Sequence, residues 1–167
     1  MSAGFKFISK MLDTKHAHAF EQYGIERYKL PTPEEREVYD YVKAFIEQNG
    51  TTPSPEEVAA QIEGFVYIPN VSASFDYLTN QINNEFAKME LTRIIQGKVS
   101  QDDEYEKKTN LANLINEKDG LDIIDWLEHQ LELIKKKSNH VDKIGNDIKS
   151  DWDWFLEEYE RRKEGKT

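Results

Sequence analysis

Cysteine is absent from this sequence of 167 residues, which excludes disulfides, thiolate metal ligands and thiol nucleophiles. Long apolar runs are also absent from the sequence. Hydrophobic residues make up 38% of the chain and charged residues 32%. No stretch approaches the roughly 20 consecutive apolar residues that span a bilayer. The N-terminal residues alternate apolar side chains with lysines, unlike the core of a secretory signal peptide. We therefore expect a cytoplasmic protein with no membrane partner.

Positive charge is in deficit, because 22 lysines and arginines face 32 acidic residues, giving a net charge of −10 at pH 7. An acidic surface repels phosphate, so we expect little direct nucleic-acid binding. The densest basic run, Lys135-Lys136-Lys137, is short. It closes a predicted acidic helix, where cations are favoured near the last carbonyl groups.

Groups suited to catalysis are scarce. The four histidines are scattered, and His16 and His18 lie two residues apart, on different sides of a helix. The acidic residues lie mainly on predicted solvent-facing surfaces, so an enzyme based on paired carboxylates is the weakest interpretation. We expect no catalytic residues, no metal site and no cofactor in this chain.

The sequence ends in Gly165-Lys166-Thr167, the last three residues of a phosphate-binding P-loop. The full motif requires a second glycine at position 160, where this chain has Glu160, and a preceding strand, where it has a charged predicted helix. The sequence therefore predicts no ATP or Mg²⁺ site here.

Prolines and glycines mark helix boundaries in the first half. Thr32-Pro33-Glu34-Glu35 combines a threonine cap, proline at the first helical position and a glutamate that can reach back to the cap. Ser54-Pro55-Glu56-Glu57 repeats the pattern, and Gly50 and Gly64 end the two helices. The first of them should bury one stripe, made of Val38, Tyr41, Val42 and Phe45. Two further helices are predicted before Thr32, a first around Phe5–Leu12 and a second, short one over His16–Tyr23. Residues 65–68 should form an extended connector.

The second half predicts a long helical hairpin over residues 72–137. Its first arm runs to Gly97, a short helix follows near Leu111, and the return arm carries Ile124 and the heptad-like residues after it. We expect the hairpin to mediate self-association, because the small bundle of residues 1–71 is too small to cover both of its faces. A fully intramolecular bundle is the alternative. The predicted association residues are Phe75, Leu78, Ile82, Phe86, Met89, Leu127, Leu131 and Ile134, and further apolar positions at Leu91, Ile95, Ile123 and Trp126 also call for a partner.

A last helix is predicted beyond a polar linker, with residues 138–167 forming the linker and this linker helix. Its aromatic face should dock on another chain or domain, although folding back on the bundle is an alternative. The docking residues are Trp152, Phe155, Leu156 and Tyr159. The predicted fold is thus all-α: a small bundle of short helices, which forms one compact domain with the long hairpin, and a tethered C-terminal linker helix.

This order of parts resembles the N-terminal domain of DnaB-like replicative DNA helicases. Glu35-Arg36-Glu37-Val38-Tyr39-Asp40-Tyr41-Val42 is similar to the family's His-Arg-x-Ile-Phe-x-x-Ile helix, and Val58-Ala59-Ala60-Gln61-Ile62 to the short helix after it. Residues 85–95, with Arg93 at the family's arginine, resemble the first arm, and residues 126–134 the second. The chain departs from the family at Thr52-Pro53-Ser54 and in an insertion around residues 104–118, which indicates a divergent or phage-type member.

The resemblance implies a non-catalytic domain that assembles a helicase during DNA replication. Hairpins would pair between subunits, and the dimers would form a ring as a trimer of dimers. The ring would recruit primase or a helicase loader, and the last helix would dock on the motor domain of the neighbouring subunit. That motor would bind ATP and Mg²⁺ and lie beyond residue 167. A stand-alone helical adaptor that binds a replication or transcription partner is the alternative.

Overall fold

In the computed structural model, residues 2–97 and 110–138 are described, and every regular element in these two ranges is helical. The all-α prediction is confirmed. The helices are α1 (Ala3–Thr14), α2 (Ala19–Gln22), α3 (Pro33–Asn49), α4 (Pro55–Gln61), α5 (Phe75–Gln96), α6 (Leu111–Glu117) and α7 (Gly120–Ser138), with a 3-10 turn at Arg27–Lys29 between α2 and α3.

Side-chain caps fix where the helices begin. Thr32 and Ser54 accept hydrogen bonds from the backbone N–H groups of Glu35 and Glu57, as the sequence predicted. Ser2, Ser74 and Asn110 cap α1, α5 and α6 in the same way. Each cap satisfies a backbone donor that would otherwise lack a partner in the first turn. Gly50 ends α3 in the left-handed conformation with φ of 72°.

Helix α1 lies at the centre of the first bundle, which we call the head (residues 2–74). The side chain of Phe7 is fully buried, and its ring lies 5.0 Å from that of Phe75 and 6.0 Å from that of Phe20. Leu78 and Ile82 belong to the same buried cluster. The first half of α5 therefore belongs to the core of the head. The first arm of the hairpin and the head share this core.

The buried stripe of α3 differs from the prediction. Val38 and Val42 are fully buried, but Tyr41 and Phe45 are only half-buried and contact each other, with ring centroids 6.2 Å apart. Tyr39, at 4% exposure, takes the inner position instead. The periodicity was right and the face was rotated, because α1 and α2 contact the side of α3 that carries Tyr39, with Phe20 only 4.4 Å from the Tyr39 ring.

Two connections refine the sequence interpretation. Helix α2 covers only Ala19–Gln22, a shorter element than the predicted His16–Tyr23. Residues 65–68 form no strand, and the Ile68 N–H donates to the Ser9 hydroxyl of α1 at 3.0 Å. This satisfies a backbone donor of the extended connector, as sheet pairing would otherwise do.

The second half of α5 packs against α6 and α7. Met89, Ile94, Leu114 and Ile134 are buried there, apart from the cluster of the head. Ile124 was predicted to lie on the packed face of α7 but is 53% exposed, whereas Ile123, Leu127 and Leu131 are half-buried. The inner face of α7 thus begins one position earlier than the heptad spacing indicated. Within the described ranges, no helix is long and apolar enough to cross a membrane.

Candidate assembly surface

The residues predicted to mediate self-association lie mostly inside the chain. Phe75, Leu78 and Ile82 are core residues of the head. Phe86, Met89 and Ile134 are buried within the hairpin at 2%, 8% and 8% exposure, and Leu127 and Leu131 are half-buried between its arms. The six buried side chains, including Phe86, therefore contact other parts of the same chain. They form its structural core and not, as predicted, a surface for association.

Large apolar side chains remain exposed elsewhere on the same helices. Leu121 at the start of α7 is 78% exposed, and Ile95 at the end of α5 is 55% exposed. Ile123 and Trp126, which were also expected to seek a partner, are half-buried. We define the hairpin apolar surface as the exposed residues Leu91, Ile95, Ile115, Leu121 and Ile124. Leu133 is also exposed but lies on the opposite side of α7 from Ile124.

Helix α5 also carries a buried ion pair. The Arg93 guanidinium donates through Nε and Nη2 to one oxygen of Glu90, at 3.1 and 3.0 Å, and both residues are under 10% exposed. One turn of α5 brings the two groups together. The ion pair satisfies its own charges, which removes the large cost that either charge would incur alone.

The head contains a second set of buried charges that the sequence interpretation missed. Lys29 is fully buried, and its Nζ donates to the Gly24 carbonyl at 2.9 Å. Burial lowers the pKa of Lys29, against the opposing effect of Glu26. Arg36 Nη1 donates to the Leu30 carbonyl at 3.2 Å. These cations donate to carbonyls of the loop between α2 and α3 and so fix its conformation. The one feature of the sequence that could have predicted the burial of Lys29 is its apolar neighbours.

Glu35 belongs to the same region. Its Oε1 accepts a hydrogen bond from the Ser2 hydroxyl at 2.6 Å, so the carboxylate joins the starts of α1 and α3. Oε2 has no hydrogen-bond partner among the described residues, and a Cβ on Gly4 would lie only 2.4 Å from it. Burial raises the pKa of Glu35, and the Ser2 and Thr32 hydroxyls partly oppose this. The capping motif had identified Glu35, but its carboxylate reaches α1.

Several predicted positions lie outside the described residues. The linker-helix residues Trp152, Phe155, Leu156 and Tyr159 are among them, as are His140 and the terminal Gly165-Lys166-Thr167. Across the two described ranges, no group of three or more histidine, aspartate or glutamate side chains is placed to hold a metal ion.

Comparison with known proteins gives no relative from which function could be transferred. No family model, no curated protein and no solved structure matches the chain.

Proposed function

We propose that this chain is a non-catalytic assembly and interaction domain of a DnaB-like replicative DNA helicase. In this proposal the domain joins helicase subunits and provides a site for primase or a loader. ATP hydrolysis and movement on DNA belong to a motor domain encoded beyond residue 167. The helix predicted from the sequence around Trp152 and Phe155 docks, in this proposal, on the motor of a neighbouring subunit.

The hairpin apolar surface is the observation that carries the proposal. Side chains such as Leu121, Ile124 and Ile95, each more than half exposed, leave apolar area in water that a partner can cover. The arms of the hairpin are also the elements that the resemblance assigns to pairing between subunits. We infer that a second copy of the hairpin covers this surface, and that the dimers so formed are the units of a ring.

The packing between head and hairpin supports pairing through the far end of the hairpin. Residues of the head, the first arm and the second arm meet around Tyr28, whose ring lies 5.5 Å from that of Phe86. The Lys137 Nζ lies 5.6 Å from the centre of the same Tyr28 ring. A hairpin anchored at this end presents its other end, around Leu121 and Ile95, to a neighbour.

The reading frame downstream of codon 167 tests the helicase assignment. We expect it to continue into a strand followed by Gly-x-x-x-x-Gly-Lys-Ser/Thr, and the full-length product to hydrolyse ATP in response to single-stranded DNA. A natural stop codon directly after Thr167 would contradict the assignment and leave the stand-alone adaptor. The pairing of hairpins is tested separately, by sedimentation.

A further inference from the structure

A small pocket opens on the head between α2 and α3, far along the chain from the hairpin. Its volume is about 70 Å³. Buried apolar side chains form its floor: Phe20 at 5% exposure, Ile25 at 2% and Tyr39 at 4%, with half-buried Ile46 beside them. Sites for small molecules usually have about 300–1,000 Å³, so this pocket has the size for a single side chain.

The rim of the pocket carries an excess of negative charge. Glu21, Glu26 and Glu47 line it, and Lys43 is the only cation among its lining residues. Negative potential also reaches the floor. The pKa of Tyr39 is raised to about 12 by burial and then by the carboxylates of Glu26, Asp40 and Glu21, because ionisation would add a further negative charge beside them.

Neighbouring charges leave most of this potential in place. Asp40 is paired with Arg27 at 3.0 Å, outside the lining of the pocket. Glu21 lies 3.6 Å from His18 Nδ1, and both side chains are about four-fifths exposed, so water screens the pair. The Lys43 Nζ lies 5.8 Å from the centre of the Tyr39 ring. The chain thus already places one cation at this pocket.

We propose that the pocket binds a lysine or arginine side chain of a protein partner. The methylene stem would pack on Phe20, Ile25 and Ile46, and the charged end would lie among the rim carboxylates. Long basic side chains bury their stems and keep their charge at a polar rim in this way. Phosphate-bearing ligands would be repelled by the same carboxylates. The inference does not depend on the helicase assignment, because it uses a different surface.

Titration of the ¹⁵N-labelled chain with a blocked pentapeptide, acetyl-Gly-Ser-Lys-Ser-Gly-amide, tests this proposal. We expect saturable shifts of backbone amides at Phe20, Ile25 and Ile46 in ¹H–¹⁵N spectra. A peptide with norleucine in place of lysine keeps the stem without the charge and loses the attraction of all three rim carboxylates. It should bind at least about tenfold more weakly, since one surface ion pair alone accounts for up to about fivefold. Equal binding of the two peptides, or no saturable shift at the pocket, would overturn the proposal.

Two sets of variants locate the binding. The triple variant Glu21→Gln/Glu26→Gln/Glu47→Gln should weaken lysine-peptide binding by about tenfold or more, since it removes several favourable charges. Glu37→Gln/Glu56→Gln/Glu63→Gln changes the net charge equally at exposed positions outside the pocket lining and should leave binding within about twofold. Lys43→Met removes the competing cation and should tighten binding by about two- to fivefold. Equal weakening by both triple variants would contradict the proposed site.

Discussion

The ring of Tyr28, in the turn before α3, lies against the ring of Phe86 in the middle of α5, with centroids 5.5 Å apart. Phe86 is 2% exposed, while Tyr28 keeps 40% of its surface in water. The contact brings the head onto the first arm just where α5 leaves the core cluster of the head. Phe86 is therefore a structural link between the two parts.

Removing the Phe86 ring should destabilise the whole chain. Phe86→Ala leaves a cavity between head and hairpin and is expected to lower the free energy of unfolding by about 3–5 kcal/mol. Tyr77→Ala, on the same helix but 56% exposed, should change it by less than about 0.5 kcal/mol. Urea unfolding followed by circular dichroism measures both. A loss below 1 kcal/mol for Phe86→Ala would contradict the burial of the Phe86 ring between head and hairpin.

The buried pair of Glu90 and Arg93 should behave as a unit. Arg93→Met leaves the Glu90 carboxylate buried without its partner and is expected to cost about 3–5 kcal/mol of stability. Glu90→Gln/Arg93→Met removes both charges and should recover more than half of that loss. The same urea titration, applied to these two variants and to Glu90→Gln alone as a double-mutant cycle, gives the coupling energy. Additive losses would show that the two side chains do not interact.

Gly97 ends α5 under two constraints that glycine alone meets. Its φ is +78°, and an added Cβ would lie 2.5 Å from Asn110 Nδ2, in the side chain that caps α6. Gly97→Ala should therefore cost about 1–2 kcal/mol from backbone strain and about 1 kcal/mol more from the disturbed cap.

Gly50→Ala is the matched control for that variant. Gly50 has a φ of +72° with nothing within 4 Å of an added Cβ, so only the strain remains. Thermal unfolding of both variants compares them. If Gly50→Ala were as destabilising as Gly97→Ala, the close approach of Asn110 would make no contribution to the free energy of unfolding.

The raised pKa of Glu35 predicts a defined pH dependence. The folded chain holds the Glu35 proton more tightly than the unfolded chain, whose glutamates titrate near the ordinary value of 4.5. The resulting stabilisation is complete below that value and is lost as the pH rises through the higher folded pKa. Glu35→Gln cannot ionise, so its stability relative to the unsubstituted chain should increase across that interval. Urea midpoints from pH 4 to pH 7 measure the difference, and a constant or decreasing difference would contradict the raised pKa.

The starts of α3 and α4 and the end of α3 were predictable because the signals that set them are local. Helix α4, in contrast, ends at Gln61, before the predicted Gly64. The caps at Thr32 and Ser54, and the glycine after α3, act within a few residues of their own helix. The long span of α5 was equally visible, since it lacks proline and internal glycine.

Burial was harder to predict because it depends on which element covers each face. Phe75 and Leu78 were assigned to a surface between subunits, but α1 covers them within the chain. Ile124 was assigned inward and is exposed. The buried Lys29 Nζ donates to the Gly24 carbonyl. This hydrogen bond depends on the conformation of the turn between the two residues. Apolar spacing identifies a face but not its partner.

Sedimentation velocity of the 167-residue chain tests the central claim, that the hairpin joins two copies. We expect the chain to sediment as a dimer or larger species at high micromolar concentration. Leu121→Asp/Ile124→Asp places charges on the hairpin apolar surface and should give a folded monomer, because both side chains are exposed in the isolated chain. Val66→Asp/Tyr77→Asp makes the same change at exposed positions of 52% and 56% outside that surface and should leave the dimer intact. A 19.6 kDa monomer for the unsubstituted chain at that concentration would contradict the account.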